Sequence, residues 1–234
     1  MTRENPSEKP LPRTITIDGP AASGKTTVGL MLSKKLGYLC LDTGIMYRAV
    51  ALDVLERGAD PQREDQVTQA AEELTIDVRD SSVADGRQFD VLINGRDRTW
   101  DIRSPEVNAC VSEVSVFPGV RQAMTTQQRK IAERGRVVML GRDVGTVVLP
   151  DADFKIYLEA SLLVRATRRY NEEKNRGNTV TFEEVLASVR HRDEIDSGRK
   201  IAPLKPAADA LIIQTDDLNA EQVVDLIWEK MRDC

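Results

Sequence analysis

The sequence predicts an α/β protein: a parallel central sheet flanked by helices, broken once by a smaller antiparallel segment. Three observations carry this. Strand-like and helix-like runs alternate from residue 14 to 57. The alternation then gives way to two short strand runs and an Asn-Gly turn with no long helix between them. After residue 118 the earlier rhythm returns and holds to the C-terminus.

The first strand is expected at 14–18, a β-rich run. Residues 25–36 carry apolar side chains at helical spacing and stop at Gly37. A second strand follows at 38–42, then a helix at 46–57 that Gly58 ends. This β-α-β-α order is that of parallel strands joined by crossover helices. The segment 64–118 reads as an antiparallel insert, with strands at 74–78 and 89–93 and a hairpin-type turn at Asn94-Gly95. Beyond it come a helix at 120–134, a strand at 137–140 and a strand at 154–158. Two charged helices follow, 161–176 and 182–197, with Thr181 placed to cap the second. A last strand at 210–214 and a closing helix at 220–231 complete the chain. The core therefore spans 14–63 and 119–234, and residues 1–13, charged and proline-rich, read as a disordered arm.

Composition limits the function. The chain has 234 residues, 41% of them hydrophobic, enough for a large buried core. Its formal charge is −5, whereas nucleic-acid binders advertise a basic balance, so an anionic ligand must be held by local arginines and lysines. Cys40, Cys110 and Cys234 are odd in number and widely spaced, which fits a reducing compartment and gives no metal site. No apolar run reaches the length of a membrane span, and the N-terminus lacks the apolar region of a secretory signal. A cytoplasmic protein is expected.

The most informative stretch is GPAASGKT, Gly19 to Thr26. It fits G-x-x-x-x-G-K-[ST], the phosphate-binding P-loop, and it lies between a strand and a helix as that loop requires. Backbone N–H groups of Gly19, Pro20-flanking residues Ala21, Ala22 and Ser23, and the helix N-terminus at Gly24 to Thr27 would cradle phosphate oxygens. Lys25 would reach the β- and γ-phosphates, and the Thr26 hydroxyl would ligate Mg²⁺.

A second site is sought outside the carboxyl ends of the other strands, where parallel sheets bind ligands. Asp42-Thr43-Gly44 ends the second strand, with Tyr47 and Arg48 on the next helix. Gly141-Arg142-Asp143 ends another strand. Arg192, Asp196 and Arg199 fall on or just past a late helix, Arg192 and Asp196 four apart on one face. Singly, Arg48 reads as a solvated helix arginine and Arg192–Asp196 as a surface ion pair. Together they read as an acceptor site.

Taken in order, ITIDGPAASGKTT, LDTGIMYR, FPGVRQAM, GRDVGTVVLPDA, RATRR, RDEIDSGR and APLKPAADAL resemble the bacterial cytidylate kinase family over nearly the whole chain after the arm. The resemblance implies a P-loop kinase fold, with a helical lid at about 160–180 and with 64–118 as the nucleoside-monophosphate-binding insert. It implies ATP as phosphoryl donor, Mg²⁺ as cofactor, CMP and dCMP as acceptors, and a monomer. Carried over by position, Gly19 to Thr27 meet ATP phosphates, and the arginines Arg165, Arg168 and Arg169 belong to the lid. Thr43, Tyr47 and Arg48 lie near the acceptor phosphate and sugar; Ser112, Arg121 and Asp143 read cytosine. Arg142 lies on the phosphate side; Arg192, Asp196 and Arg199 hold ribose and phosphate. Lys25, Arg142, Arg165 and Arg199 are then the groups expected to act on the moving phosphoryl. The chain departs from the family pattern at Ala22, often glycine, at Ile45, usually alanine, and at Leu140, frequently acidic.

The chemistry agrees with the residue inventory. A nucleoside monophosphate presents an anionic oxygen as nucleophile and needs no strong base, and the only histidine is His191. Rival readings are a kinase of UMP, shikimate or another small alcohol, for which Asp42 could serve as base, and a non-catalytic P-loop sensor or switch. The sensor leaves the second arginine set unexplained. A nucleic-acid-binding ATPase conflicts with the acidic balance.

Overall fold

Five parallel strands form the central sheet, in the order β2-β6-β1-β7-β8. The computed structural model describes residues 10–233. In that range β1 is Thr14–Asp18, β2 Leu39–Asp42, β6 Val137–Gly141, β7 Phe154–Glu159 and β8 Leu211–Gln214. The helices connecting them are α1 (Lys25–Leu36), α2 (Gly44–Glu56), α5 (Pro118–Ala132), α6 (Leu162–Asn175), α7 (Phe182–Gly198) and α8 (Ala220–Asp233). Between α2 and α5 lie α3 (Glu64–Glu73), β3 (Ile76–Asp80), β4 (Phe89–Ile93), β5 (Arg96–Asp97) and α4 (Pro105–Val114).

β1 is buried because it is central: it pairs in parallel with β6 on one side and β7 on the other. Ile15 and Ile17 are fully buried, together with Leu41, Met139, Leu140, Ile156 and Leu158 from the neighbouring strands. Each such side chain contributes about 1.5–3 kcal/mol on leaving water. Gly37 ends α1 in the left-handed region at φ 67°, where its N–H meets the Ser33 carbonyl. Thr181 caps α7 in a full capping box with Glu184.

The segment 64–118 departs most from expectation. It holds the predicted antiparallel sheet, in the order β3-β4-β5, but also two helices, α3 and α4. Asn94 and Gly95 both have positive φ, 50° and 78°, and join β4 to the two-residue β5. Arg87, largely buried, bonds Asp85, Asp90 and Asp97 and so ties the β3–β4 loop to β5. Ser104 caps α4, with Pro105 in its first turn.

Residues 1–9 of the expected arm lie outside the described residues. Just before and at the start of β1, the backbone N–H groups of Arg13 and Thr14 both donate to Asp153 at 2.8 Å, and the Arg13 carbonyl accepts from Val137. Among the described residues no helix is long and apolar enough to cross a membrane.

Candidate active site

Because the strands are parallel, Asp18, Asp42, Gly141 and Glu159 all end at one edge of the sheet. The loop 19–24 leaves that edge and enters α1. Gly19 has φ 148°, and a Cβ there would lie 2.2 Å from the Leu158 carbonyl oxygen. No side chain fits. Ala22 sits at φ 58°, a left-handed conformation that its methyl tolerates at a cost of about 1–2 kcal/mol. The loop folds around its own lysine: Lys25 Nζ donates to the Pro20 carbonyl at 2.6 Å and to Ser23 Oγ at 3.3 Å. Burial, and then the Arg142 charge, push the Lys25 ammonium well below its ordinary range, while Asp42, Asp18 and Asp196 pull it back. Thr26 Oγ1 donates to Asp42 Oδ2 at 3.3 Å, and Asp42 Oδ1 accepts from the Gly44 N–H. Thr27 is exposed on the first turn of α1.

Opposite the loop, one carboxylate gathers three arginines. Asp196 on α7 is fully buried. It accepts from Arg142 Nε at 2.9 Å and from Arg199, and Arg192 Nε lies 3.5 Å away. Burial alone would raise the Asp196 carboxyl, but the charges of Arg142, Arg199 and Arg192 outweigh it and hold the group below its ordinary value. The Nε–H groups of Arg192 and Arg199 are buried without a hydrogen-bond partner. Both lie against the Asp196 cluster, Arg192 Nε at 3.5 Å from its carboxylate.

A second ion pair joins α5 to the end of β6. Arg121 donates to Asp143 Oδ2 at 2.5 Å and to the Ser115 carbonyl at 3.2 Å, and both side chains are buried. The Arg121 guanidinium stacks over the Tyr47 ring at 5.5 Å. Burial pushes the Tyr47 hydroxyl up. Thr43 uses its N–H and hydroxyl to hold the Leu140 carbonyl at 2.9 and 2.8 Å, locking β2 to β6 where both enter the site. Leu140 itself packs against Gly29 of α1, where a Cβ would come within 2.5 Å of it.

The structure brings most of the expected residues together. Arg48 donates to Asn108 Oδ1 at 2.5 Å and to the Ile102 carbonyl, linking α2 to the start of α4. Arg165 forms a bidentate pair with Asp193 at 2.9 and 2.6 Å and also bonds the Ala21 carbonyl, so the start of α6 touches the loop. Arg168 donates to the hydroxyl and carbonyl of Thr215, whose hydroxyl in turn meets the Ser23 carbonyl. Two residues fall elsewhere than expected. Ser112 Oγ accepts from Arg192 at 2.6 Å, which places it with the Asp196 cluster rather than with Arg121 and Asp143. Arg169 pairs with Glu172 and Glu173 on its own half-exposed helix face and makes no bond to the loop.

Four contributors were not read from the sequence. Asp193 and Thr215 orient Arg165 and Arg168. Arg103 stacks on Trp100 at 5.6 Å, and burial and then the Arg176 charge lower its guanidinium while Asp42 raises it. Asp18 accepts from two consecutive backbone N–H groups beyond Asp143. Only Asp18 carried a visible signal, as an acid ending an apolar strand next to the glycine-rich loop.

A parallel sheet with a phosphate-cradling loop at the start of α1, and a cluster of arginines gathered on a buried carboxylate near it, defines a P-loop protein of the kinase type. The fold is shared at low identity: a crystal structure of an uncharacterized protein from Eubacterium ventriosum superposes with TM-score 0.52 at 11% identity, covering 93% of this chain and 97% of that one. The protein-family model for Cytidylate kinase matches residues 15–233. A cytidylate kinase from Chloroflexus aggregans is 50% identical over 220 residues, 94% of each chain. One from Caldanaerobacter subterraneus is 46% identical over 218 residues, covering 93% of this chain and 94% of its own. One from Bacillus licheniformis is 45% identical over 215 residues, 92% and 94%. The chain belongs to the cytidylate kinase family.

Proposed function

We propose that this protein transfers the γ-phosphoryl group of ATP to CMP and dCMP, giving ADP and CDP or dCDP. The observation that carries this is the Asp196 cluster, in which one buried carboxylate gathers Arg142, Arg192 and Arg199 near the loop lysine. Three guanidinium groups held together in this way suit an acceptor phosphate and ribose.

An acceptor phosphate oxygen attacks the γ-phosphorus, and the bond to the bridging oxygen of ADP breaks. The protein's part is positioning and charge neutralisation. Backbone N–H groups of Gly19 to Thr27 hold the donor phosphates, and Lys25 leaves its loop oxygens for the β- and γ-phosphates. Arg142, Arg192 and Arg199 hold the acceptor phosphate and ribose, with Thr43, Tyr47 and Arg48 on the near side. Ser112 supports Arg192. Arg165 bridges the loop and α7 and closes on the transferred group, with Arg168, and Arg169 once it leaves Glu172 and Glu173, covering the donor. Thr26 and Asp42 present hard oxygen donors 3.3 Å apart, a set that suits Mg²⁺ completed by water and phosphate oxygens. When bound there, the ion neutralises phosphate charge. Segment 64–118 acts as the monophosphate-binding insert and 160–180 as the lid, which together exclude water.

The base is read by Asp143 and Arg121. Cytosine offers an N4 donor beside the N3 and O2 acceptors, and a carboxylate beside a guanidinium matches that edge. Uracil puts O4 against the carboxylate and an N–H against Arg121, and each buried mismatch costs about 1–3 kcal/mol.

Coupled measurement of ADP release with CMP, dCMP, UMP, AMP, GMP and shikimate tests this reading. Efficient turnover is expected with CMP and dCMP, and about a hundredfold less with UMP. Preference for AMP, GMP or shikimate would overturn it.

A further inference from the structure

Asp18 is a buried carboxylate to which phosphoryl transfer assigns no task. It ends β1, one residue before Gly19, and is 4% exposed. Its oxygens do not meet an arginine. Oδ1 accepts from the Val144 N–H at 2.9 Å and Oδ2 from the Gly145 N–H at 2.7 Å. These two groups open the π-helical turn Val144–Val148, which Asp143 begins. The Asp143 carbonyl accepts from the Val147 and Val148 N–H groups, so Asp143 and the turn are one unit. The contact is built closely: a Cβ on Gly145 would lie 2.9 Å from Thr16 Oγ1 and 3.3 Å from Asp18 Oδ2.

Asp143 is therefore held from both sides. Upstream, Gly141 is fixed by its pairing with Asp18 in the sheet. Downstream, Val144 and Gly145 are fixed by the Asp18 side chain. One residue carries both restraints, and it is bonded directly to the phosphate loop.

We propose that Asp18 is a positioning residue for base selection, holding the Asp143–Arg121 pair in register with the phosphate loop. This rests on the reading of Asp143 and Arg121 as the groups that recognise cytosine. Only an ionised carboxylate suits the place, because it accepts both N–H groups. An asparagine would turn an NH₂ against one of them, and a protonated acid would turn an O–H. Burial pushes the Asp18 carboxyl up to about 6, with Asp143 adding to the rise and the two N–H groups and Lys25 opposing it. Lys25 faces it from α1 and Asp143 from the end of β6. From β7, Lys155 lies across Gly145, and Tyr157, whose hydroxyl feels the Asp18 charge, is its sheet partner.

The test compares the CMP/UMP ratio of kcat/KM, which cancels the titration of the shared phosphate and of the donor. Asp18→Asn is expected to lower CMP efficiency by about tenfold or more through KM, to leave UMP nearly unchanged and so to narrow the ratio. In the wild type the ratio should fall between about pH 8 and about pH 5.5, with its midpoint near 6, and in Asp18→Asn it should be flat. Asp143→Ala is the control. If Asp143→Ala narrows the ratio and Asp18→Asn leaves it intact, the Asp18 proposal fails while the base-reading assignment stands. If Asp143→Ala leaves the ratio unchanged, the base-reading assignment itself fails. If Asp18→Asn does not fold, the wild-type profile decides, and a ratio constant with pH overturns the proposal.

Discussion

Replacing Asp196 by asparagine keeps the shape of the side chain and removes the charge at the centre of the arginine cluster. Taking one partner from a buried ion pair costs about 3–5 kcal/mol, because the other charge stays behind. Here three cations stay behind. The Arg142 and Arg192 side chains are 22% and 34% exposed, so water relieves part of their cost, whereas Arg199, at 7%, gains little. The lower end of the range applies, about 3 kcal/mol of stability. Activity should fall further than stability, since Arg142, Arg192 and Arg199 all take their positions from this one group. A loss of about 10²–10³ in kcat/KM for CMP is expected, with the ATP dependence less affected. Urea unfolding and the coupled assay measure the two quantities. The pH dependence adds a check. The Asp196 carboxyl lies below its ordinary value in the fold, so its contribution is present above about pH 4 and is lost only as pH falls through the lower folded value. The gap between variant and wild type should therefore be constant from about pH 5 to about pH 8. A variant within about 0.5 kcal/mol of wild type, with undiminished CMP efficiency, would refute the idea that this carboxylate organises the acceptor site.

Lys25→Met should fold as well as the wild type, since it removes a buried ammonium, and should lose turnover by orders of magnitude; circular dichroism with the coupled assay checks both. Ala22→Gly should raise the melting temperature slightly, by relief of about 1 kcal/mol at a left-handed position less the added freedom of the unfolded chain, without loss of activity. Asp18→Asn should show opposite trends in function and pH-dependent stability. The wild-type carboxyl is raised from 3.8 to about 6 in the fold, so its ionisation is a cost that grows as pH rises through that window. On acidification from about pH 7 to about pH 4, wild type should gain on the variant by about 2.4 kcal/mol in urea unfolding.

The parts of the fold set by local pattern were legible. Strand β1, helix α1 and strand β4 fall at the predicted residues, because a β-rich run, a helical period ending at glycine and an Asn-Gly turn are each decided within a few residues. Helices α3 and α4 were not seen, although Ser104-Pro105 caps one and two acids open the other. Both are only ten residues long and gain their stability from packing on α2 and α5, which no short window contains. The same division holds at the site. The phosphate loop is contiguous and could be read directly. The partners that orient its arginines, Asp193 and Thr215, are 28 and 47 residues away in the chain, and only the fold brings them together. Ser112 went to Arg192 for the same reason, because α4 faces α7 across the cleft.

The sheet order has a consequence for the way the chain is made. A ribosome releases β1 first, yet both neighbours of β1 come late: Thr14 pairs with Val137 and Ile15 with Phe154. β2 also has β6 as its strand neighbour in that sheet. The nascent chain must therefore expose its central strand, with the phosphate loop attached, until more than half of the protein has been synthesised. Segment 64–118 pairs only with itself in its own sheet and can organise in the meantime. Joining β1 to β2 then waits on a single strand, β6, and such long-range pairing is slow and open to aggregation. A chain stalled before Val137 would carry every residue of the phosphate loop and none of the strand pairings that hold β1 in place.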